Sequence, residues 1–217
     1  MAVSKPPTDW TEQYNVAEIA ARYDRRYRGP IRRLNNQRIW RAVSAELLRA
    51  NDGSAPSWVV DVPAGTGRFT EQIRGLGSKV VSLDLSGQML QVLRLKQGVG
   101  MEVVGDLHQS PLQLPEETVL LSLRLMQHFD ATDRVAALKS LRQIAARAVI
   151  AYYPGWDYKN RLRRVRHRVG LPARVVREYI PADAIRAEAE SAGWNLLSLR
   201  RVFPVLSENV LLTLQAR

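Results

Sequence analysis

The sequence predicts an α/β protein with a doubly wound, mostly parallel sheet of seven strands and an antiparallel C-terminal strand. Three observations carry that prediction. Between residues 58 and 153, five short and almost unbroken apolar runs alternate with segments of helical periodicity. Strands that are apolar on both sides belong in a parallel sheet covered by helices on both faces. The first of these strands runs into two glycines one residue apart, Gly65 and Gly67. The last two strand-like segments are separated by only a short loop, which permits nothing but antiparallel pairing.

The elements follow in order. Residues 1–13 are polar and contain prolines, the composition of a frayed arm. From Tyr14 to Ala50 the pattern is helical: "AEIAARYDRRY", a break at Gly29-Pro30, then a longer helix with Ile31, Leu34, Ile39, Val43 and Leu47 near helical spacing. After the loop "NDGSAPS", "WVVDV" (58–62) is the first strand and "RFTEQIRGLG" a short helix stopped by glycines. "KVVSLDL" is the second strand, Ser86 caps the helix "GQMLQVLRLKQ", and "MEVVGDL" is the third strand. "TVLLSLRLM" is the fourth. Asp130 caps "ATDRVAALKSLRQIAAR", whose apolar face is expected at Val135, Leu138, Leu141 and Ala145, and "AVIAYY" is the fifth strand. Pro181 opens the helix "ADAIRAEAESA" and Gly193 closes it. "WNLLSLRRV" and "NVLLTLQ", joined by "FPVLSE", form the closing hairpin. The expected organisation is one domain over 14–217, with N-terminal helices at 14–50, a core at 58–153, a basic segment at 154–178 and the C-terminal helix and hairpin at 179–217.

Composition removes several kinds of chemistry. The 217 residues include no cysteine, which excludes disulfides, thiolate metal sites and cysteine nucleophiles. His108, His128 and His167 are too scattered to suggest a metal centre. No run reaches the roughly 18 apolar residues of a membrane span, and "MAVSKPPTDWTEQ" lacks the apolar stretch of a signal peptide, so a cytoplasmic protein is expected. A net charge of +11 is compatible with nucleic acid, anionic lipid or an acidic small molecule.

The glycine turn lies where open parallel sheets bind ligands, beyond the carboxyl ends of the strands near the topological switch point. Glycine there lets a ligand approach the main chain, and the following helix start favours an anionic group such as a carboxylate. A tight turn without any ligand is the simpler reading of the two glycines alone. Asp84 ends the second strand 17 residues after Gly67, where a carboxylate can accept hydrogen bonds from both ribose hydroxyls. Asp106 ends the third strand and can accept from an adenine amino group, with Leu85 and Leu107 against the ring faces. A nicotinamide dinucleotide fits less well, because the third small residue of its pyrophosphate fingerprint is replaced by Thr70.

The ordered set "DVPAGTG", "DLSGQML" and "GD" resembles the class I S-adenosylmethionine (SAM)-dependent methyltransferases, in particular the small bacterial type 11/25 group. The resemblance runs from about residue 20 to the C-terminus and includes the closing hairpin. It implies a Rossmann-like fold with SAM as cofactor. By the same resemblance Asp61, Gly65 and Gly67 would hold the methionine part, with Pro63 and Ala64 in the same cofactor loop. Asp84 would take the ribose and Asp106 the adenine. Two positions depart from the family pattern: Pro63 stands at the first glycine of the loop, and Thr118 stands where many members carry an aspartate.

Outside the cofactor loop, His128 in "LRLMQHFD" follows the fourth strand and is a candidate general base, since an imidazole pKa near about 6.5 suits proton removal from oxygen or nitrogen. Tyr23 and Tyr27 resemble the aromatic N-terminal lid of the family. Residues 158–177, "YKNRLRRVRHRVGLPARVVR", hold eight Lys or Arg and no acid, with Tyr158, Leu162, Val165 and Val169 in a stripe at helical spacing. Arg163, Arg164 and Arg166 are therefore candidate substrate contacts, and the segment also suits RNA phosphates, an anionic membrane surface or plain solvation. The usual cytosine-C5 chemistry needs the absent cysteine, and "SLRLMQHF" does not match the N/D-P-P-Y/F segment of amino-directed base methylases. The expected activity is methyl transfer to O or N of a small acceptor, with anionic and lipid-linked acceptors in scope. RNA methylation, SAM binding without catalysis and nicotinamide-dependent oxidoreduction are the alternatives.

Overall fold

A computed structural model describes residues 29–155, 158–171, 179–202 and 209–217. The arm at 1–13, the first predicted helix with Tyr23 and Tyr27, residues 172–178 of the basic segment and the hairpin loop 203–208 lie outside the described residues.

The elements are α1 (Pro30–Ala50), β1 (Trp58–Asp61), α2 (Thr70–Arg74), β2 (Lys79–Asp84), α3 (Gly87–Gln97), β3 (Met101–Val104) and β4 (Val119–Ser122). They continue with α4 (Ala131–Ile144), β5 (Arg147–Tyr152), α5 (Tyr158–Arg168), α6 (Ala182–Ser191), β6 (Trp194–Arg201) and β7 (Val210–Ala216). The strands form one sheet in the order β3-β2-β1-β4-β5-β7-β6. β1 to β5 are mutually parallel, and β7 runs antiparallel to both β5 and β6. The chain works outward from β1 to β3 and returns to the other side of β1 as β4, so the switch point lies between β1 and β4. The doubly wound sheet and its closing hairpin are those the sequence predicts.

Alternation along each strand sends apolar side chains to both faces. Val59, Leu121, Val149 and Leu211 face Ile39, Val43 and Leu47 of α1 and Ile73 of α2. Val60, Leu120, Ile150 and Leu212 face Leu138 and Leu141 of α4 and Ile185 of α6. Each fully buried Leu or Ile contributes about 1.5–3 kcal/mol, which is why these short strands hold together without strong local propensity. Ser86 caps α3 by accepting from the Met89 N–H, and Asp130 caps α4 by accepting from the Asp133 N–H.

Three details differ from expectation. β4 ends at Ser122 rather than near Met126, because Arg124 takes a positive φ of 65° and residues Met126–His128 wind into a 3-10 turn. The buried face of α4 runs through Arg134, Ala137, Leu138, Leu141 and Ile144; Val135 lies at its edge and Ala145 beyond the last turn. Leu34 of α1 is half exposed, since the helix meets the sheet only from Ile39 onward. Among the described residues no helix is long and apolar enough to cross a membrane.

Two buried polar clusters tie the layers together. Glu46 of α1 is completely buried and its Oε2 accepts from Ser198 Oγ on β6 and Thr213 Oγ1 on β7, both at 2.6 Å. On the opposite face Arg134 donates to both carboxylate oxygens of Glu188, the shortest contact being 2.7 Å, and Tyr152 donates to Glu188 Oε2 at 2.9 Å.

Candidate active site

The carboxyl ends of β1, β2 and β4 open into a cavity of about 700 Å³. Its floor is built by the segment after β1. There the Ala64 N–H donates to the Leu83 carbonyl at 2.9 Å, and the Gly67 N–H closes a turn onto the Ala64 carbonyl at 3.0 Å. α3 holds the turn from behind: Lys96 Nζ donates to the Thr66 carbonyl at 3.1 Å and Gln97 Nε2 to the Gly67 carbonyl at 2.8 Å.

The two glycines do different work. Gly65 (φ 55°) lines the cavity, and a Cβ placed on it would meet nothing within 4 Å. Gly67 (φ 69°) does not line the cavity; a Cβ there would collide with the Leu93 side chain and crowd Thr70 Oγ1. Of the two, Gly65 is the one at the cavity, and Gly67 serves the close packing of the loop on α3.

Asp84 organises the site. Its Oδ2 accepts from the Gly65 N–H at 2.7 Å and its Oδ1 from the Ser86 N–H at 2.8 Å. Each carboxylate oxygen retains a lone pair, and the residue lines the cavity. Burial raises its pKa above the usual carboxylate range, against the two backbone N–H bonds that lower it. Asp61, at the end of β1, is more extreme. Burial, with added repulsion from Asp84, pushes its pKa up to about 8. A buried acid of this kind at a cavity wall is a place where a cation would be welcome.

Pro63, Ala64, Leu85, Asp106 and Leu107 also line the cavity. Asp106 is exposed on its rim, where Oδ1 accepts from the His108 N–H at 2.9 Å. His128 stands on the far wall, beyond β4, with Nε2 3.0 Å from Gln127 Nε2. The Gln127 amide nitrogen can only donate, so in this contact His128 Nε2 is the acceptor. Arg134 fixes this wall from beneath by donating to the Phe129 carbonyl at 3.1 Å.

Two groups lie elsewhere, and a third is not described. Thr118 precedes β4 at its amino end, the opposite end of the strand from the cavity. Arg163, Arg164 and Arg166 of α5, expected as substrate contacts, are not among the residues that line the cavity. Tyr23 and Tyr27 lie outside the described residues.

Sequence reasoning missed Arg33 and Asn36 of α1 and Arg124 after β4, all of which line the cavity. Arg68 also lines it, donating to Asn36 Oδ1 and lying 4.9 Å over the Phe69 ring. The position of Arg124 was open to prediction, as the first residues past a strand beside the switch point. Nothing local in α1 announces Asn36.

Comparison with known proteins agrees with this geometry. Residues 59–147 match the family model described as a methyltransferase domain. A malonyl-[acyl-carrier protein] O-methyltransferase of Serratia marcescens is 31% identical over 106 residues, 49% of this chain and 41% of that protein. A demethylmenaquinone methyltransferase of Thermobifida fusca is 29% identical over 157 residues, 70% of this chain and 64% of that one. The chain therefore spans less than two thirds of the length of either relative. In fold it is similar to the magnesium protoporphyrin IX methyltransferase of Synechocystis PCC 6803 crystallised with bound S-adenosylhomocysteine, with a TM-score of 0.74 and 16% identity over 97% of this chain and 99% of that one. The match over residues 59–147 and the relatives make this chain similar to methyltransferases, and the Synechocystis enzyme shares its fold.

Proposed function

We propose that the protein transfers the methyl group of SAM to an oxygen or nitrogen of a small acceptor. The observation that carries this reading is the cluster of Asp61, Asp84 and the open Gly65 on one wall of a cavity whose other wall holds His128. The cavity's volume is within the range of small-molecule sites and suits a cofactor with a modest acceptor beside it. When bound, SAM supplies a methyl group activated on a sulfonium, whose transfer asks chiefly for alignment with the acceptor.

The residues suit that cofactor. The remaining lone pairs of Asp84 accept from the ribose hydroxyls, and Asp106 with Leu85 and Leu107 receives the adenine. Asp61, ionised by the approach of a cation, pairs with the α-ammonium of the methionine part. Gly65 leaves the space that a side chain would fill. His128 accepts the proton that a hydroxyl or amine acceptor loses. Arg33, Arg68 and Arg124 on the same walls favour an acceptor bearing negative charge.

Calorimetric titration with SAM, S-adenosylhomocysteine and NAD, on the natural chain and on Asp84→Ala, tests the cofactor assignment. Micromolar SAM binding that the variant loses supports it. Heat from NAD alone, or unchanged SAM affinity in Asp84→Ala, overturns it. Turnover across a panel of anionic and lipid-linked acceptors, read by mass spectrometry as a gain of one methyl group, then tests catalysis. SAM binding without turnover on any acceptor would leave a binding protein.

A further inference from the structure

α5 is mounted the wrong way round for a helix that serves the fold. A surface helix normally turns its apolar stripe to the core and its charges to water. Here the polar side is anchored: Asn160 is completely buried and its Nδ2 donates to the Gly155 carbonyl at 3.1 Å, while Arg163 and Arg164, on the same side, are half-buried. The stripe at i, i+3 and i+7 points away from the protein, with Leu162, Val165 and Val169 exposed by 56%, 56% and 64%. The helical turns run on to Gly170, whose φ of 70° ends them, and the next residue, Leu171, is exposed as well.

Exposed arginines border this stripe on both sides. Arg161 and Arg168, seven residues apart, lie along one flank and Arg166 along the other. No acid occurs anywhere from residue 158 to 171. Both ends of the excursion are fastened to the loop after β5, by Asn160 to Gly155 and by the Ile180 N–H to the Pro154 carbonyl at 3.1 Å. α5 therefore departs from the sheet edge at which the cavity opens.

We infer that α5 is an interfacial helix that docks the protein on an anionic lipid surface. The occupant of this face must be apolar along a line and negatively charged to either side of it. A bilayer offers that pairing continuously: acyl chains receive the Leu and Val side chains while the arginines reach up to lipid phosphates. A specific protein partner fits less well. Protein interfaces concentrate aromatic anchors in pockets, whereas the exposed stripe described here is a row of Leu and Val. The docking surface lies outside the cavity wall, so the inference stands or falls independently of methyl transfer.

Co-sedimentation of the full chain with vesicles of phosphatidylcholine, and of an equal mixture of phosphatidylcholine and phosphatidylglycerol, tests it. The natural chain should partition onto the mixed vesicles and much less onto the neutral ones. Changing Arg161→Gln, Arg166→Gln and Arg168→Gln together should lower the partition coefficient about a hundredfold, as expected for three cations at an anionic surface. Changing Leu162→Ser, Val165→Ser and Val169→Ser together should lower it at least about tenfold. All six positions are exposed, so thermal unfolding midpoints should stay unchanged and confirm that neither variant has lost its fold. Failure of the natural chain to bind mixed vesicles would overturn the inference and point to residues 1–28 or another copy as the cover for the stripe. Undiminished binding by the serine variant would overturn it too, leaving an arginine face suited to an acidic macromolecule.

Discussion

Replacing Asp61 by asparagine should stabilise the ligand-free protein and at the same time weaken its hold on a cationic ligand. The side chain is buried, which pushes its pKa up to about 8 from the ordinary 3.8. An acid whose pKa is raised on folding binds its proton more tightly in the folded state. Its contribution is therefore intact below pH 3.8 and is lost as pH rises toward 8. At about 1.4 kcal/mol per pH unit, the natural carboxyl costs about 3 kcal/mol at pH 6 and about 5 kcal/mol at pH 8, where half of it is ionised. Asparagine keeps the shape and removes the titration. Urea unfolding of both proteins without ligand should then show a stability gap that widens by about 2 kcal/mol between pH 6 and 8. Binding supplies a second readout. At pH 7 about nine in ten Asp61 carboxyls hold a proton, and a bound ammonium group expels it. Calorimetry with SAM in two buffers of different ionisation enthalpy should thus report release of close to one proton by the natural chain and none from this site in Asp61→Asn. Parallel stability curves together with buffer-independent heats would refute the reasoning, because they would mean that Asp61 is ionised throughout.

The two glycines of the turn should separate in one experiment. Gly67→Ala forces a left-handed alanine into Leu93 and should cost about 2–4 kcal/mol in equilibrium unfolding. Gly65→Ala enters open space and should cost only about 1–2 kcal/mol, yet weaken SAM at least about tenfold in calorimetry because its methyl projects into the cavity. Glu188→Ala strands the buried Arg134 guanidinium and should lower stability by about 3–5 kcal/mol, measured in urea. Glu46→Ala removes the acceptor shared by Ser198 and Thr213, so its cost should exceed that of Thr213→Val, which loses one hydrogen bond worth about 1 kcal/mol.

Much of this fold is legible in the sequence because its strands are covered on both sides. Val59 and Val60 face opposite layers, so burial asks for an unbroken apolar run, and such a run is visible without knowing its partners. Caps are equally visible, since Ser86 and Asp130 act on residues only three away. The cavity's β2 wall was legible for a related reason: Asp84 is placed by the strand it ends, and its bond to Gly65 joins two local signals. The wall beyond β4 was not. Its path depends on Arg124 at a positive φ and on Arg134 reaching back to the Phe129 carbonyl from the next helix. A charged side chain in a helix reads as solvent-facing, and the carboxylate of the distant Glu188, itself bonded by Tyr152, helps to make burial of Arg134 tolerable.

α5 shows the same limit from the other direction. Its stripe could be read from the spacing of Leu162, Val165 and Val169, but periodicity carries no sign: it says that one face is apolar and not which way that face looks. A buried polar contact favours one choice. If the stripe were turned inward, the Asn160 amide would be carried away from the Gly155 carbonyl to which it is now bound. Five arginines between residues 161 and 168 would then crowd the outer side, with no acid in the helix to offset them. With Asn160 inward, the stripe and its flanking cations share the outer surface, and the desolvation of apolar groups is deferred until something covers them. A helix fixed in that orientation retains an unburied apolar face at some cost to the isolated protein. The burial it forgoes in folding remains available for docking, and the arginines beside it determine that the surface receiving it is anionic.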